Sequence, residues 1–168
     1  TVSVVEVRRV SAEVVRPLRH AILRAGYPVE ESVYPADDLV DTVHLAAFDG
    51  DEVVGTATLF PEAYEGRPAW RLRGMAVADG WRGRGIGSLL LAEVVGRVRA
   101  SGGRLLWCNA RTVALPFYLT HGFEAVGEEF LVAHGVPHHV AVLELLDAST
   151  HSDEGHPAPR SPSAPPSV

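Results

Sequence analysis

Residues 71–88 read Arg-Leu-Arg-Gly-Met-Ala-Val-Ala-Asp-Gly-Trp-Arg-Gly-Arg-Gly-Ile-Gly-Ser. An apolar strand-like run ends near Ala78, and a turn dense in glycine and arginine follows. From Ile86 to Ala100 the apolar residues Leu89, Leu90, Ala92, Val94 and Val98 mark a long helix, closed by Ser101-Gly102-Gly103. A strand feeding a glycine turn and then a long helix demands a sheet for that helix to cover. Gly83, Gly85 and Gly87 remove side chains where the backbone must approach a ligand closely. The N–H groups at the helix start have no partner within the helix, and they point at one spot with the helix dipole behind them. Arg82 and Arg84 add positive charge. The segment reads as a pyrophosphate cradle.

Two common phosphate folds do not fit. A Rossmann fingerprint needs glycine at position 88, where Ser88 stands, and a single strand leading into the turn, where three consecutive strands are expected. A P-loop needs lysine, and all 15 Lys/Arg residues of this chain are arginine. The same absence removes Schiff-base and kinase-type lysine chemistry. A net charge of −6 argues against general affinity for nucleic acid. No apolar run reaches the ~18 residues of a membrane helix, and the N-terminus does not read as a signal peptide. The single cysteine, Cys108, fits a reducing, cytoplasmic setting.

The rest of the chain alternates in type. Strands are expected over 2–9, 43–48, 52–60, 69–78, 104–109, 123–132 and 138–146. Asp49-Gly50 turns the second into the third. A helix after Ser11 ends at Gly26 and is expected to kink at Pro17 or to start only there. A further helix covers 112–121, with Gly122 as its C-cap. The order β-α-β-β-β-α-β-α-β-β predicts one α/β domain over 1–147 with a mixed sheet. Residues 148–168, rich in Pro and Ser, read as a disordered tail. Its histidines, His151 and His156, are expected to be solvated, and no metal site is expected.

The turn spells Arg-x-x-Gly-x-Gly from Arg82 through Gly85 to Gly87. Further on, Asn109, Ala114, Tyr118 and Gly122-Phe123 fall in the pattern Asn-x4-Ala-x3-Tyr-x3-Gly-Phe. With these two motifs in order the chain resembles the GNAT-superfamily N-acetyltransferases from Val2 to Leu146. The stretches Pro17-Leu18-Arg19, Arg24-Ala25-Gly26, Asp37-Asp38, His44 and Gly135-Val136-Pro137-His138 are similar to a subgroup of small bacterial acetyltransferases.

The resemblance implies a central sheet of about seven strands, splayed between the fourth and fifth, with flanking helices. It implies acetyl-CoA as cosubstrate. Backbone groups of Met75, Ala76 and Val77 would pair with pantetheine. Arg82, Gly83, Arg84, Gly85, Ile86 and Gly87 would hold the pyrophosphate, and Asn109 would bond pantetheine. Tyr118 would act as general acid on the departing thiolate. The base is less defined: His138 is favoured, with Glu62, Glu65, His44 and an ordered water as alternatives. Cys108 reads as an inert core residue, so transfer is expected to be direct. The acceptor is expected to be the primary amine of a small molecule, and an acidic rim of Asp37, Asp38 and Asp41 would suit a polyamine or aminoglycoside. A protein amine, a non-catalytic acyl-CoA sensor and a homodimer stay open.

Overall fold

The computed structural model of the chain describes residues 4–145, so the Pro/Ser-rich stretch and its histidines lie outside the described residues. Seven strands form one mixed sheet: β1 (Val5–Val10), β2 (Val43–Asp49), β3 (Glu52–Pro61), β4 (Trp70–Val77), β5 (Leu105–Arg111), β6 (Glu124–Val132) and β7 (Val136–Glu144). Their spatial order is β1-β2-β3-β4-β5-β7-β6. Three α-helices lie among the described residues, α1 (Ala12–Leu23), α2 (Ile86–Ala100) and α3 (Leu115–Thr120), with short 3-10 turns between elements. The expected order of elements and the α/β class are borne out. None of the helices among the described residues is long and apolar enough to cross a membrane.

Helix α1 starts at Ala12, not at Pro17, and runs through Pro17 to Leu23, short of the expected end at Gly26. Pro17 sits on the exposed face beside exposed Glu13, so the carbonyl it leaves unpaired can be solvated. The 112–121 segment is a short 3-10 turn, Thr112–Ala114, followed by α3, with Pro116 in the first helical turn where its missing N–H costs nothing.

Helices α1 and α2 cover opposite faces of the sheet. Along β3, Thr58 bonds α1 through Arg19, whereas a Cβ on Gly55 would lie 2.6 Å from Ile86 of α2. The two residues differ by an odd number, so the pleat turns them to opposite sides. The main core lies under α2, where Ile86, Leu90, Leu91, Val94 and Val98 meet Leu45, Val54, Ala57, Leu59, Leu72 and Leu106. The strict burial of that helical stripe is what holds the glycine turn at its start against the sheet.

The α1 face carries a buried ion pair. Arg19 is fully buried and grips Asp37 with both nitrogens, at 2.9 and 3.2 Å. It also donates to the Ser32 carbonyl and the Thr58 hydroxyl, each at 2.7 Å. His44 donates from Nε2 to the Asp37 carbonyl, and its Nδ1 meets the Thr58 hydroxyl at 2.9 Å. The Arg19 guanidinium lies 3.8 Å over the Tyr34 ring.

Candidate active site

The sheet divides between its fourth and fifth strands. β4 and β5 run parallel and pair only at Trp70↔Leu106 and Arg71↔Trp107. Beyond that point β4 stays on β3, and β5 stays on β7 as far as Arg111↔His138. The β5-facing edge of residues 72–77 therefore has no strand beside it. A buried backbone edge needs partners, and an amide-bearing ligand laid in the wedge can supply them as an added strand would. Here β4 also bulges: Thr58 pairs with Arg73 and Thr56 with Ala76, so Gly74 and Met75 oppose Ala57 alone. Gly74 has φ +64°, and its carbonyl accepts from Thr56 at 2.9 Å. The bulge re-aims the backbone of Met75–Val77 at the point where the strands part.

Two cavities flank the wedge. The larger, of about 570 Å³, is lined by Met75, Ala76 and Val77, by Arg82, Gly83, Gly85, Ile86 and Gly87, and by Trp81, Phe117 and Tyr118. Gly85 is the N-cap of α2 in the left-handed region, φ +82°. The first helical bond is Leu89 N–H to Gly85 O, so the N–H groups of Ile86, Gly87 and Ser88 have no partner in the helix. A Cβ on Gly83 or Gly85 would meet nothing within 4 Å; both glycines border open space. That is an anion cradle by chemistry and shape. Arg84 lies outside this lining and stacks on Trp81 at 3.8 Å, which orders the turn.

The smaller cavity, of about 130 Å³, is lined by Asn109, His138, Tyr34 and Cys108 and by four arginines. Both cavities touch Leu23, Met75, Arg111, Ala114 and Tyr118, so they meet at the wedge. The sheet explains the arginines. Thr58, Arg73 and Arg19 share the α1 face, and Trp107, Asn109 and Arg111 alternate onto it along β5.

Tyr118 is buried, and its hydroxyl lies against the Cys108 thiol. Burial first, and Cys108 beside it, push the phenol well above its ordinary value of 10. It keeps its proton at neutral pH and can serve as an acid but not as a base. Burial likewise pushes the Cys108 thiol up to about 12, so it carries no thiolate to act as nucleophile. His138 is held by Nδ1–H donating to the Val136 carbonyl at 2.9 Å, which leaves Nε2 as the basic nitrogen. Burial, then Arg111 and Arg24, hold its pKa below 6.5 despite that bond. The ring is neutral at pH 7.

The remaining base candidates sit elsewhere. Glu62 is paired with Arg71 at 2.8 Å, and neither it nor Glu65 borders either cavity at the wedge. Both His44 nitrogens are engaged in the Arg19–Asp37 network. Asp37, expected on an acidic rim, is instead the buried partner of Arg19, and neither Asp38 nor Asp41 lines the smaller cavity. Sequence reasoning missed the Gly74 bulge, for which a lone glycine in a strand was the signal. It also missed Arg24 and Arg111, for which there was none.

A sheet parted at one strand pair, with an anion cradle in one cavity and a protonated phenol and a neutral imidazole lining the cavity it meets, suits an acyl-group transferase. The family model of the acetyltransferase (GNAT) domain matches residues 41–125. The uncharacterized N-acetyltransferase YitI of Bacillus subtilis (strain 168) is 31% identical over 147 residues, covering 86% of this chain and 98% of that protein. A GNAT-family structure from Desulfovibrio desulfuricans superposes with a TM-score of 0.65 at 27% identity, over 84% of this chain and 99% of that one. Arabidopsis thaliana NAA60 in complex with acetyl-CoA shares the fold at TM-score 0.65 and 19% identity, over 84% of this chain and 98% of its own. The chain belongs to the GNAT acetyltransferase family and is an acetyl-CoA-dependent acetyltransferase.

Proposed function

We propose that this enzyme transfers the acetyl group directly to the primary amine of a small molecule while both substrates are bound. The observation that carries this is the meeting of the two cavities at Met75, Ala114 and Tyr118. One cavity offers the cradle for acetyl-CoA, and the other gives the amine a path to the same point. The N–H groups of Ile86, Gly87 and Ser88, with Arg82, would hold the pyrophosphate. The open edge of Met75–Val77 would pair with the pantetheine arm, with Asn109 beside it.

His138 Nε2 takes a proton from the amine as its nitrogen bonds to the acetyl carbon. Tyr118 gives its proton to the sulfur as the carbon–sulfur bond breaks. One proton leaves nitrogen and one reaches sulfur, and the His138 proton returns through solvent to the phenolate. The neutral imidazole and the protonated phenol are the forms this division of labour needs. Holding both substrates in the wedge supplies the remaining advantage, by proximity. The inert Cys108 supports transfer without an acetyl-enzyme, and dependence on acetyl-CoA suits a cytoplasmic enzyme.

The test is a thiol-release assay from acetyl-CoA with a panel of small amines. Turnover is expected with at least one of them, and Cys108→Ala is expected to keep it. Saturating coenzyme A should raise the melting temperature by roughly 5–10 °C, from about 2.7 kcal/mol of linkage at ~100 times Kd. A stable protein that coenzyme A does not stabilise, or a Cys108→Ala enzyme that is dead, would overturn this reading.

A further inference from the structure

We propose that the smaller cavity is an oxyanion subsite, and that the acceptor is a small amine bearing a carboxylate or phosphate group. This rests on reading that cavity as the acceptor side of the acetyl-transfer site. Its lining includes Arg24, Arg71, Arg73 and Arg111 and no Asp or Glu, in a chain whose net charge is −6. The four come from three elements. Arg24 caps the C-terminus of α1, Arg71 and Arg73 share one face of β4, and Arg111 ends β5.

Among the described residues, three of these charges have no counter-ion. Arg71 is neutralised by Glu62 and lies over Trp107. Arg24 and Arg111 each give one N–H to the Leu23 carbonyl, at 2.7 and 2.6 Å. A guanidinium has five donors, so most of each fork stays available. Arg73 rests 3.9 Å over the Tyr34 ring, which Arg19 also stacks upon. Among the described residues it has no hydrogen bond or ion pair.

Guanidinium groups do not lose their protons at working pH. Arg73 is nonetheless pulled below its ordinary value by burial and by the charges of Arg71, Arg19 and Arg24. Arg111 is pulled down by burial and Arg24. Partly desolvated like charges repel one another, and an oxyanion relieves that repulsion while matching the planar forks in bidentate fashion. A polyamine or aminoglycoside would add positive charge to the same space. The volume of about 130 Å³ has room for several water molecules, enough for the charged end of a compact acceptor. With its anion on the arginines, such a molecule presents its amine to His138 and Tyr118, which line the same cavity.

The experiment compares acceptors matched in size. The anionic arm uses glycine, β-alanine and glutamate as carboxylates and aminoethyl phosphate as phosphate. The other arm uses their carboxamides, ethanolamine and putrescine. Anionic acceptors are expected to exceed their neutral counterparts in kcat/KM by about 10–100-fold, the range for charged hydrogen bonds. The two anionic sets show which oxyanion is preferred. Arg73→Gln should bring that ratio close to one, chiefly through KM, and Arg111→Gln should do the same if Arg73→Gln does not fold. A preference for neutral or cationic amines overturns the subsite and leaves acetyl transfer standing. If coenzyme A binds but no amine is acetylated, the small-amine reading fails, and the subsite is judged by thermal shift of the coenzyme A-loaded protein with glutarate and with phosphate. A shift lost in Arg73→Gln supports it, and no shift, or equal shifts in both proteins, overturns it.

Discussion

Asp37→Ala isolates the buried pair that packs against Tyr34 and Gly74 in the lining of the smaller cavity. Arg19 is wholly buried, and Asp37 takes both of its forks while also accepting the Tyr34 backbone N–H at 3.0 Å. Truncating Asp37 leaves a buried cation with only the Ser32 carbonyl and the Thr58 hydroxyl as hydrogen-bond acceptors, beside the Tyr34 ring. Breaking a buried pair in this way costs about 3–5 kcal/mol. A domain of this size loses roughly 3 °C per kcal/mol, so the melting temperature should fall by about 10–15 °C. Thermal unfolding followed by circular dichroism reads this directly. The double replacement of Arg19→Met with Asp37→Leu should cost less than the sum of its singles, because neither charge is then stranded. The wild type carries a pH signature as well. Burial raises the Asp37 pKa, but the bonds from Arg19 and the Tyr34 N–H outweigh it, so in the fold it lies below 3.8. The unfolded chain therefore binds the extra proton first on acidification. The pair's stabilisation is complete above 3.8 and is lost as pH falls through the lower, folded value. A loss under about 3 °C in Asp37→Ala, or strict additivity in the double variant, would refute the argument.

Two further outcomes follow from the same geometry. Because His138 titrates below 6.5 in the fold, kcat should stay level through neutral pH and fall only below that value. His138→Gln should lower the plateau and abolish this acid limb, and an unaltered limb would assign it to another group. Gly74→Ala should destabilise by about 1–3 kcal/mol, since its Cβ would sit at φ +64° and 2.9 Å from the Arg19 Nε of a side chain pinned by several bonds. Calorimetric or denaturant unfolding checks this, and an unchanged stability would show that the bulge does not depend on glycine.

Much of this was legible in the sequence, because local chemistry and global fold agree there. Asp49-Gly50 turns β2 into β3 with Gly50 at φ +59°. Helix α2 spans the residues the spacing indicates, with Leu90, Val94 and Val98 buried but Leu89 and Ala92 exposed, and the glycine turn borders the larger cavity with the side chain-free positions it promises. Other features have no local signature. The Arg19–Asp37 pair joins α1 to the 3-10 turn Pro35–Asp38 across 18 positions, and each residue alone reads as an ordinary surface charge. That is why Asp37 suggested an acidic rim while the structure buries it. The arginine lining is assembled from α1, β4 and β5 by the sheet's alternation and by the parting of β4 from β5, which no window of sequence displays. Pro17 does not set the start of α1: on an exposed face, a helix can pass through proline.

In the proposed mechanism acetyl transfer occurs where the two cavities meet, with the Tyr118 hydroxyl protonating the leaving sulfur. Tyr118→Phe keeps the ring packed against Phe117 and Phe123, at centroid distances of 5.2 Å to each, and removes only the hydroxyl. The measurement is the single-turnover rate of acetyl transfer alongside the Kd for coenzyme A. The rate should fall by about 10²-fold or more, since a general acid acts in the transition state, and the Kd should stay essentially where it was. A single-turnover rate equal to that of the wild type would contradict the claim and remove Tyr118 from the chemistry.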